Sequence, residues 1–437
     1  MRWARLLSVE FAFTGLRAGH GPGTWGQRAI WDVVRGLGTD AARYNVTGGR
    51  ELPEPLPVAR VADLVRALLA RHDSLHTLLD ADGDTVRQRV VAAGTVPVVP
   101  RSAPPGEVLP VAYALYHELQ DTPFDPLTEL PLRIGLVAGD GLVRYIIFAM
   151  PHTASDGWGL RNLLADWDAF SAGAAPQGVP QQPLEEAAFQ HSDRGRRRDA
   201  AARRSWLDKL ARGPHRPFPA RAEPEPVFPN AVLNSPALAL ALDRLAADGH
   251  AVLLAATAAA AARLTGAADT VFQVVVNNRF LPGMAGSVTT VAQEGLLHLP
   301  GADGSFPALV HRTFGAALSA HRHAYYDKLA LRRAIASSSP CDHSVFVNDT
   351  RGLMPVLGYA RPAPAPLEEA LSRTTLSWPV DHEPRVGTTF ALDAQDAPGS
   401  LELAMTADSA LIPRADMARL LYGIESLVVE HARTMPA

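Results

Sequence analysis

The chain has 437 residues, which favours two or three domains at about 150 residues each. Hydrophobic residues make up 47% and charged residues 20%, a composition that excludes an intrinsically disordered protein. The 41 basic and 45 acidic residues give a formal net charge of −4, so the charge offers no general attraction to nucleic acid or to an anionic membrane.

The content of lysine and cysteine excludes further classes. Lys209 and Lys328 are the two lysines, and neither lies in the glycine-rich loop that a P-loop requires. The single cysteine, Cys341, can form no internal disulfide, which fits a reducing compartment. Glu10 interrupts the first apolar stretch, and the longest largely apolar run, 251–262, is shorter than the ~20 residues that span a bilayer. We therefore expect a cytoplasmic protein without a signal peptide or membrane segment.

The first part of the chain alternates predicted strands and helices. Apolar periodicity and turn residues divide it into short elements. They are a strand over 6–16, a glycine-rich loop over 19–23, a helix capped by Thr24, a helix over 58–73, and strands over 85–91, 96–99, 132–137 and 142–150.

The later part repeats this mixture. A polar turn over 151–157 and a helix over 159–170 precede a linker at 171–182. The remaining predictions are a helix over 184–210, an irregular Pro-rich stretch over 214–236, strands over 238–242, 270–276, 344–348 and 401–406, and helices over 251–264, 306–326 and 414–432. Both halves therefore read as α/β lobes, which we divide into 1–175 and 176–437.

One short motif carries the chemistry. His152, Asp156 and Gly157 form an H-x-x-x-D-G sequence that directly follows the apolar strand over 142–150 and precedes a helix. A turn at the end of a buried strand can present a side chain to a cleft, and histidine transfers protons near neutral pH. An arginine partner would hold the aspartate carboxylate with two hydrogen bonds. The alternative is a histidine that only satisfies a backbone carbonyl at the strand end.

Several segments together resemble the condensation domain of nonribosomal peptide synthetases, in the chloramphenicol-acetyltransferase-like superfamily of H-x-x-x-D acyltransferases. The segment around His152 lies on the family's H-H-x-x-x-D-G-W motif. The other matching positions are Gln27 with Trp31, the run Arg71 to Thr77, Phe124 with Asp125, Pro131 to Arg133, Trp206 with Leu207, Asn278 with Arg279, and Phe346 to Asn348. Their order and spacing follow the family from end to end.

The resemblance implies a fold and a site. It implies an α/β (α+β) chain whose two acetyltransferase-like lobes form a V with a tunnel at their junction. His152 would be the catalytic histidine, which orients or deprotonates an acceptor that attacks a thioester carbonyl. Asp156 would be structural and paired with Arg279 across the lobes, and Gly157 would allow a substrate to approach its backbone closely.

The resemblance also implies the substrates and partners. It implies an amide or ester bond between an acyl group on the phosphopantetheine arm of a carrier protein and an amine or hydroxyl of a small acceptor. No cofactor would be bound by the chain itself. Because the chain ends about where the family domain ends, we expect the carrier protein to act in trans. Trp158, Asn348 and Trp378 occupy positions near the family's substrate-binding residues, although each also suits an ordinary core position.

Two departures keep other functions open. Pro151 stands where the family has its first histidine, and Gln293 to Leu296 replaces the V-N-T-L segment. These changes favour a non-catalytic docking module that recruits a partner enzyme. A third possibility is an acyltransferase that uses coenzyme A thioesters, as other members of the superfamily do.

Three other features have simpler explanations. His72 and His76 have helical spacing but lack the glutamate of an H-E-x-x-H zinc site, so we expect a structural role. His321 and His323 are two residues apart on a predicted helix and would point in different directions. The arginines over 194–204 suit either a solvated helix face or the docking of an acidic carrier protein.

Overall fold

The computed structural model describes residues 9–83, 85–104, 106–214, 218–219, 227–245, 249–338, 342–353, 362–382 and 388–434. Helices and strands are mixed along the chain, which confirms the predicted α/β class. Two compact units are present, one formed by 1–197, 277–292 and 327–329 and the other by 198–276, 293–326 and 330–437. Residues 277–292 and 327–329 thus belong to the first unit although they come later in the chain. The predicted division into 1–175 and 176–437 assigns them to the second lobe. The V arrangement and the tunnel stay predictions.

The first unit is built on a five-stranded sheet with the order β1-β6-β7-β8-β3 and a three-stranded sheet with the order β2-β5-β4. Its strands are β1 (Val9–Phe13), β2 (Gly19–Pro22), β3 (Asn45–Leu56), β4 (Thr77–Asp82), β5 (Thr85–Val90), β6 (Gly94–Ser102), β7 (Arg133–Gly139) and β8 (Leu142–Pro151). Its helices are α1 (Trp25–Val34), α2 (Val58–Arg71), α3 (Val108–Gln120), α4 (Gly157–Ser171) and α5 (Pro183–Gln190), with 3₁₀ turns at Gly38–Tyr44 and Asp73–His76.

Local signals account for α1 and α2. Thr24 caps α1 through a reciprocal pair of hydrogen bonds with Gln27. The backbone N–H of each residue donates to the side-chain oxygen of the other. Along α2, Val61, Leu64 and Leu68 recur on one face and are fully or almost fully buried. Both helices confirm the predictions.

Strand β8 lies at the centre of the first unit. It pairs antiparallel with β7 on one side and with β3 on the other, and its residues from Ile146 to Met150 are completely buried. Helix α3 packs on this sheet through Leu115 and Leu119. The sequence reading missed both α3 and β3, which together complete the surroundings of β8. The strand that leads to the H-x-x-x-D-G motif is therefore held by a strand at each edge and by a helix on one face.

The second unit contains an eight-stranded sheet with the order β11-β10-β12-β15-β16-β9-β13, and β14 pairs with β9. Its strands are β9 (Phe228–Ser235), β10 (Thr270–Val276), β11 (Gln293–Leu299), β12 (Val345–Asp349), β13 (Thr375–Ser377), β14 (Asp381–His382), β15 (Phe390–Ala397) and β16 (Ser400–Ala407). Its helices are α6 (Asp193–Arg212), α7 (Pro236–Leu245), α8 (Gly249–Thr265), α9 (Phe306–Arg322), α10 (Lys328–Ala336), α11 (Leu367–Leu371) and α12 (Arg414–Thr434), of which α6 and α10 begin with residues of the first unit.

The Ala-rich helix α8 forms the middle of the second core. All residues from Ala251 to Ala262 are buried, as expected for a helix that is apolar all round. Small side chains let neighbouring helices approach closely, and a Cβ at Gly423 of α12 would lie 3.5 Å from Cβ of Ala260. The prediction of a helix over 251–264 is confirmed.

The segment 238–242, predicted as a strand, lies within the helix α7 instead. Pro236 opens this helix, and the hydroxyl of Ser235 accepts a hydrogen bond from the Leu238 backbone N–H. Its buried residues follow a helical period, and the Leu–Ala alternation carries no alternation of polarity, because both residue types are apolar. Alanine is also the best helix former.

Two predicted irregular segments are strands. Gly19–Pro22 forms β2 rather than a loop, and a Cβ at Gly19 or Gly21 would lie 2.8 or 3.0 Å from the side chain of Leu184. The glycines therefore let an edge strand pass close to α5. Within the Pro-rich stretch 214–236, Phe228–Ser235 forms β9, which pairs with β16, β13 and β14. Cys341 lies outside the described residues.

Among the described residues, no helix has both the length and the apolar character needed to cross a bilayer.

A close approach between β11 and α9 gives a test of the second core. A Cβ at Gly295 would lie 2.5 Å from the backbone oxygen of Ala320, so Gly295→Ala must push the helix away from the strand. We expect a loss of about 1–3 kcal/mol in the free energy of unfolding, measured by urea denaturation.

The matched control is Gly315→Ala on the same helix. Gly315 is exposed and has nothing within 4 Å of the added Cβ, so the higher helix propensity of alanine should leave stability unchanged or raise it. Equal stabilities of the two variants would contradict the close packing of β11 on α9.

Candidate active site

The motif begins where β8 ends. Pro151 is the last residue of β8, and its carbonyl accepts the backbone N–H of Ala154, which closes a tight turn. Pro151 stands in place of the family's first histidine and has no backbone N–H to donate. The end of a strand tolerates such a residue, because the sheet needs no hydrogen bond from it there. The turn therefore starts from a rigid, buried strand.

His152 lies in this turn and its backbone is held on both sides. Its N–H donates to the carbonyl of Tyr44 at 3.0 Å, and its carbonyl accepts the hydroxyl of Thr290. The half-buried side chain forms part of the wall of a small pocket within the first unit, beside Phe124 and Thr153. This pocket has a volume of about 10 Å³, which is room for about one water molecule.

Asp156 begins the helix that follows the turn. It is the N-cap of α4, and its carboxylate accepts the backbone N–H of Gly159 at 2.8 Å. The same carboxylate accepts the backbone N–H groups of Val291 at 3.0 Å and Ala292 at 2.8 Å. One side chain thus joins the start of α4 to a segment that lies more than a hundred residues away in sequence.

Arg279 completes the surroundings of this carboxylate. Its guanidinium contacts both oxygens of Asp156, at 3.1 Å through Nη1 and at 2.8 Å through Nη2. Its remaining donors reach the backbone carbonyls of Ser287 and Thr289. The predicted pairing of Asp156 with Arg279 is present, but both residues belong to the first unit, because the segment 277–292 returns to it. The pair was expected to cross between the lobes.

The electrostatics of Asp156 keep it ionised. Burial alone would raise the pKa of its carboxyl group, but the Arg279 charge and the hydrogen bonds from Arg279 and the backbone lower the pKa below its ordinary value. A carboxylate that is already bound by five donors has no free capacity to act as a general base. These contacts fit the structural role predicted for Asp156, and proton transfer by His152 stays a prediction.

The predicted role of Gly157, close approach of a substrate to its backbone, stays a prediction, and close packing within the protein occurs at a neighbouring glycine. Gly157 is the half-buried first residue of α4. At Gly159, an added Cβ would lie 2.3 Å from the hydroxyl of Ser155 and 3.1 Å from the Arg279 guanidinium. Gly159 is therefore the position at the start of α4 where only glycine fits without displacing its neighbours. The sequence analysis did not identify it.

The three suggested substrate-binding residues lie in different surroundings. Trp158 is half-buried in the first unit, with the Arg161 guanidinium 5.3 Å from its ring centroid. Asn348 lies on β12 of the second unit and donates to Asp393 at 2.9 Å. Trp378 packs against the core of the second unit, and Arg414 lies over its ring. Contacts within the second unit are enough to explain Asn348 and Trp378, and their substrate roles stay predictions.

The other histidines and the replaced segment have structural contacts. His72 contacts Asp166 at 2.7 Å, and burial lowers its pKa in spite of that carboxylate. His76 contacts the carbonyl of Val91 at 2.7 Å. Gln293–Leu299 is the strand β11, and the Glu294 carbonyl accepts a hydrogen bond from the Tyr326 hydroxyl.

The arginine run lies on α6. Arg194, Arg197 and Arg204 are exposed to solvent. Three other arginines of the helix form ion pairs with acidic residues of its own, Arg196 with Asp193, Arg203 with Asp199 and Arg212 with Asp208. The helix therefore offers a solvated basic face, which leaves carrier-protein docking there as a prediction.

Asp156→Asn tests the buried ion pair. Asparagine keeps one carbonyl acceptor but turns an amide toward other donors and leaves the buried Arg279 charge without its partner. We expect a loss of about 3–5 kcal/mol in the free energy of unfolding, measured by denaturant titration. Because the folded pKa of Asp156 is lowered, its contribution is present above about pH 4 and lost as the pH falls through the folded pKa.

The control for Asp156→Asn is Asp168→Asn, which removes an exposed ion pair with Arg50. Such pairs contribute about 0–1 kcal/mol, so this variant should retain wild-type stability. Equal losses in the free energy of unfolding for both variants would show that the buried ion pair contributes no more to stability than an exposed one.

His321 gives a second pH-dependent prediction. Burial, followed by the neighbouring His250, lowers the pKa of His321 from 6.5 to about 4. The unfolded chain binds more protons in this range, so the free energy of unfolding should fall as the pH drops from 6.5 to about 4. His321→Asn should flatten that slope, whereas His311→Asn, at an exposed position of the same helix, should retain it. Parallel slopes in all three proteins would contradict the prediction.

Comparison with known proteins gives partial matches in sequence. No family model matches the chain. A linear gramicidin synthase of Brevibacillus parabrevis is 31% identical over 202 residues, which are 44% of this chain and 2% of that protein. The phosphinothricin tripeptide synthetase PhsC of Streptomyces viridochromogenes is 28% identical over 176 residues, which are 38% of this chain and 16% of that protein. The chain thus spans a small part of these relatives.

Solved structures match over most of the chain. The condensation domain of the monacolin K polyketide synthase MokA superposes with a TM-score of 0.71 at 17% identity, over 95% of this chain and 98% of that one. The starter condensation domain of the rhizomide synthetase RzmA gives a TM-score of 0.67 at 19% identity, over 94% and 95% of the two chains. The chain therefore has the condensation-domain fold and is related in sequence to nonribosomal peptide synthetases, which confirms the resemblance that its motifs predicted.

Proposed function

We propose that this protein is a condensation enzyme of natural-product biosynthesis. It joins an acyl group, held as a thioester on the phosphopantetheine arm of a separate carrier protein, to the amine or hydroxyl of a small acceptor. The observation that carries the proposal is the position of His152, on a turn whose backbone is held from both sides, while Arg279 and three backbone N–H groups occupy the Asp156 carboxylate.

The proposed reaction needs one base and no covalent enzyme intermediate. The acceptor nitrogen or oxygen attacks the thioester carbonyl carbon, and the carbon–sulfur bond then breaks. The proton lost by the acceptor passes to the imidazole of His152 and from there to the departing sulfur, so the products are an amide or ester and a free thiol. Holding both substrates beside one base supplies much of the rate acceleration.

The structural neighbours support a thioester donor. One structure of the RzmA starter condensation domain holds C8-CoA and Leu-SNAC, an acyl thioester and an aminoacyl thioester, and matches this chain with a TM-score of 0.64 at 19% identity. That structure is of a double mutant, and its complex with C8-CoA supports a thioester donor for this fold. Whether this protein prefers a carrier protein or coenzyme A is a separate question, which the same assay answers.

His152→Ala is the direct test. The protein is incubated with an acyl-loaded carrier protein and a panel of amines and alcohols, and the intact mass of the carrier is followed. Wild type should release the acyl group in an acceptor-dependent manner, and His152→Ala should lower kcat by about 10²–10⁴-fold. His191→Ala, at an exposed position of the same unit, should match wild type. Full turnover by His152→Ala would remove this histidine from the mechanism.

The donor is identified in parallel reactions. The same acyl group is supplied on the carrier protein and on coenzyme A at equal concentration. Faster turnover from the carrier supports the proposal, whereas equal or faster turnover from coenzyme A would favour the acyltransferase alternative.

One neighbour favours a second function. The X-domain from teicoplanin biosynthesis, solved in complex with OxyB, matches with a TM-score of 0.63 at 22% identity over 94% of this chain. By analogy, this chain would bind a partner protein, as the docking-module alternative requires. Pro151 favours this reading, and His152, Asp156 and Arg279 argue against it. Stable binding of an oxygenase combined with no turnover from any donor would support the docking module.

A further inference from the structure

Thr290 makes a contact that the motif does not predict. Its hydroxyl donates a hydrogen bond to the backbone carbonyl of His152, although 138 residues separate the two in sequence. Thr290 is 2% exposed, so its side chain is fixed by the residues that surround it. The opposite side of the same residue is fixed by the bond from the His152 N–H to Tyr44. Between these two contacts, the backbone that carries the imidazole has little freedom to move.

The main chain of Thr290 is itself held in place. A Cβ at Gly26 would lie 2.0 Å from the Thr290 carbonyl oxygen and 3.1 Å from its Cγ2, so the start of α1 packs directly on this residue. The next two residues, Val291 and Ala292, donate their N–H groups to Asp156. The carbonyl of the preceding residue, Thr289, accepts Arg279. The ion pair thus fixes the segment that delivers the hydroxyl.

The side chain suits this task because threonine is branched at Cβ. Branching restricts rotation about χ1, so the direction of the hydroxyl is set once the methyl group is packed. Valine would keep the shape and lose the donor. Serine would keep the donor and lose the packed methyl group. These two substitutions therefore separate the hydrogen bond from the packing.

From this geometry we infer that Thr290 is a positioning residue for His152. It holds the backbone of the turn so that the imidazole keeps one place relative to the reacting atoms. The inference rests on the proposed function for its catalytic meaning, but the contact itself acts on the position of His152 whether or not a substrate is known. A shift of about 1 Å in a catalytic group can lower a rate by about 10²-fold.

The first experiment measures kcat and KM for Thr290→Val and Thr290→Ser in the carrier-protein assay. Thr290→Val should lower kcat by about 10- to 100-fold with KM within about twofold of wild type, because the group is misplaced and substrate contacts are not removed. Thr290→Ser should recover most of that loss. Equal rates for the valine variant and wild type, or no recovery by serine, would overturn the inference.

Two further variants control for packing. Thr77→Val removes another buried threonine hydroxyl of the first unit, which donates to the Asp73 carbonyl at 2.6 Å, and should leave kcat unchanged. Gly26→Ala keeps the Thr290 hydroxyl but must displace its main chain, and should reproduce the loss seen in Thr290→Val. If Thr290→Val does not fold, Thr290→Ala and Thr290→Ser, which differ by one hydroxyl, are compared instead. A loss in Thr77→Val as large as in Thr290→Val would mean a general effect of a lost buried hydroxyl.

The second experiment requires no substrate. Diethyl pyrocarbonate modifies accessible imidazoles, and peptide mass spectrometry follows the rate at His152. That rate should change at least threefold in Thr290→Val and return toward wild type in Thr290→Ser, while Thr77→Val leaves it unchanged. An unchanged rate in Thr290→Val would overturn the inference. If the rate changes but His152→Ala is fully active, the positioning contact stands and the proposed function fails.

Discussion

The carboxylate of Asp156 is the point on which this part of the molecule depends. It caps α4 through Gly159, binds the guanidinium of Arg279 and accepts the N–H groups of Val291 and Ala292. A buried ion pair gains little stability over apolar residues of the same volume, because both charges must leave water. Its effect here is geometric. Both carboxylate oxygens of Asp156 accept hydrogen bonds from these groups. The start of α4 and the distant segment 277–292 are therefore held in one arrangement relative to each other.

The two titratable residues of the motif, His152 and Asp156, are suited to different roles. Arg279 and the backbone donors hold the pKa of Asp156 low, so the carboxylate stays ionised and Arg279 stays bound across the pH range in which histidine titrates. His152 is left as the group that can exchange a proton. Its surroundings are shaped indirectly, since the segment that Asp156 holds contains Thr290, whose hydroxyl binds the His152 carbonyl. The Asp156–Arg279 ion pair therefore affects the position of His152 through Thr290, without contacting His152 itself.

The sequence predicts the fold best where a signal is local. The capping box of Thr24 and the helical period of α2 both lie within one element, and both predictions are confirmed. Predictions fail where distant packing decides the conformation. Gly19–Pro22 reads as a loop by composition, yet it forms a strand because its glycines fit against Leu184, more than 160 residues later. The apolar run in α7 reads as a strand until the cap at Ser235 and burial on a helical period are seen.

The same distinction applies to the site. The strand, the turn and the helix around His152 follow one another in sequence, so their motif is readable, and the family resemblance adds Arg279 as the partner of Asp156. Thr290 and Gly159 leave no such signal, because their importance lies in contacts made across more than a hundred residues or at the start of a helix. The H-x-x-x-D-G motif is therefore an incomplete description of the site. In this chain we infer that the position of the imidazole also depends on a hydroxyl from the segment 277–292 and on a missing side chain at Gly26. A sequence with the motif but with valine in place of Thr290 and alanine in place of Gly26 would lack the contacts that hold the backbone of His152.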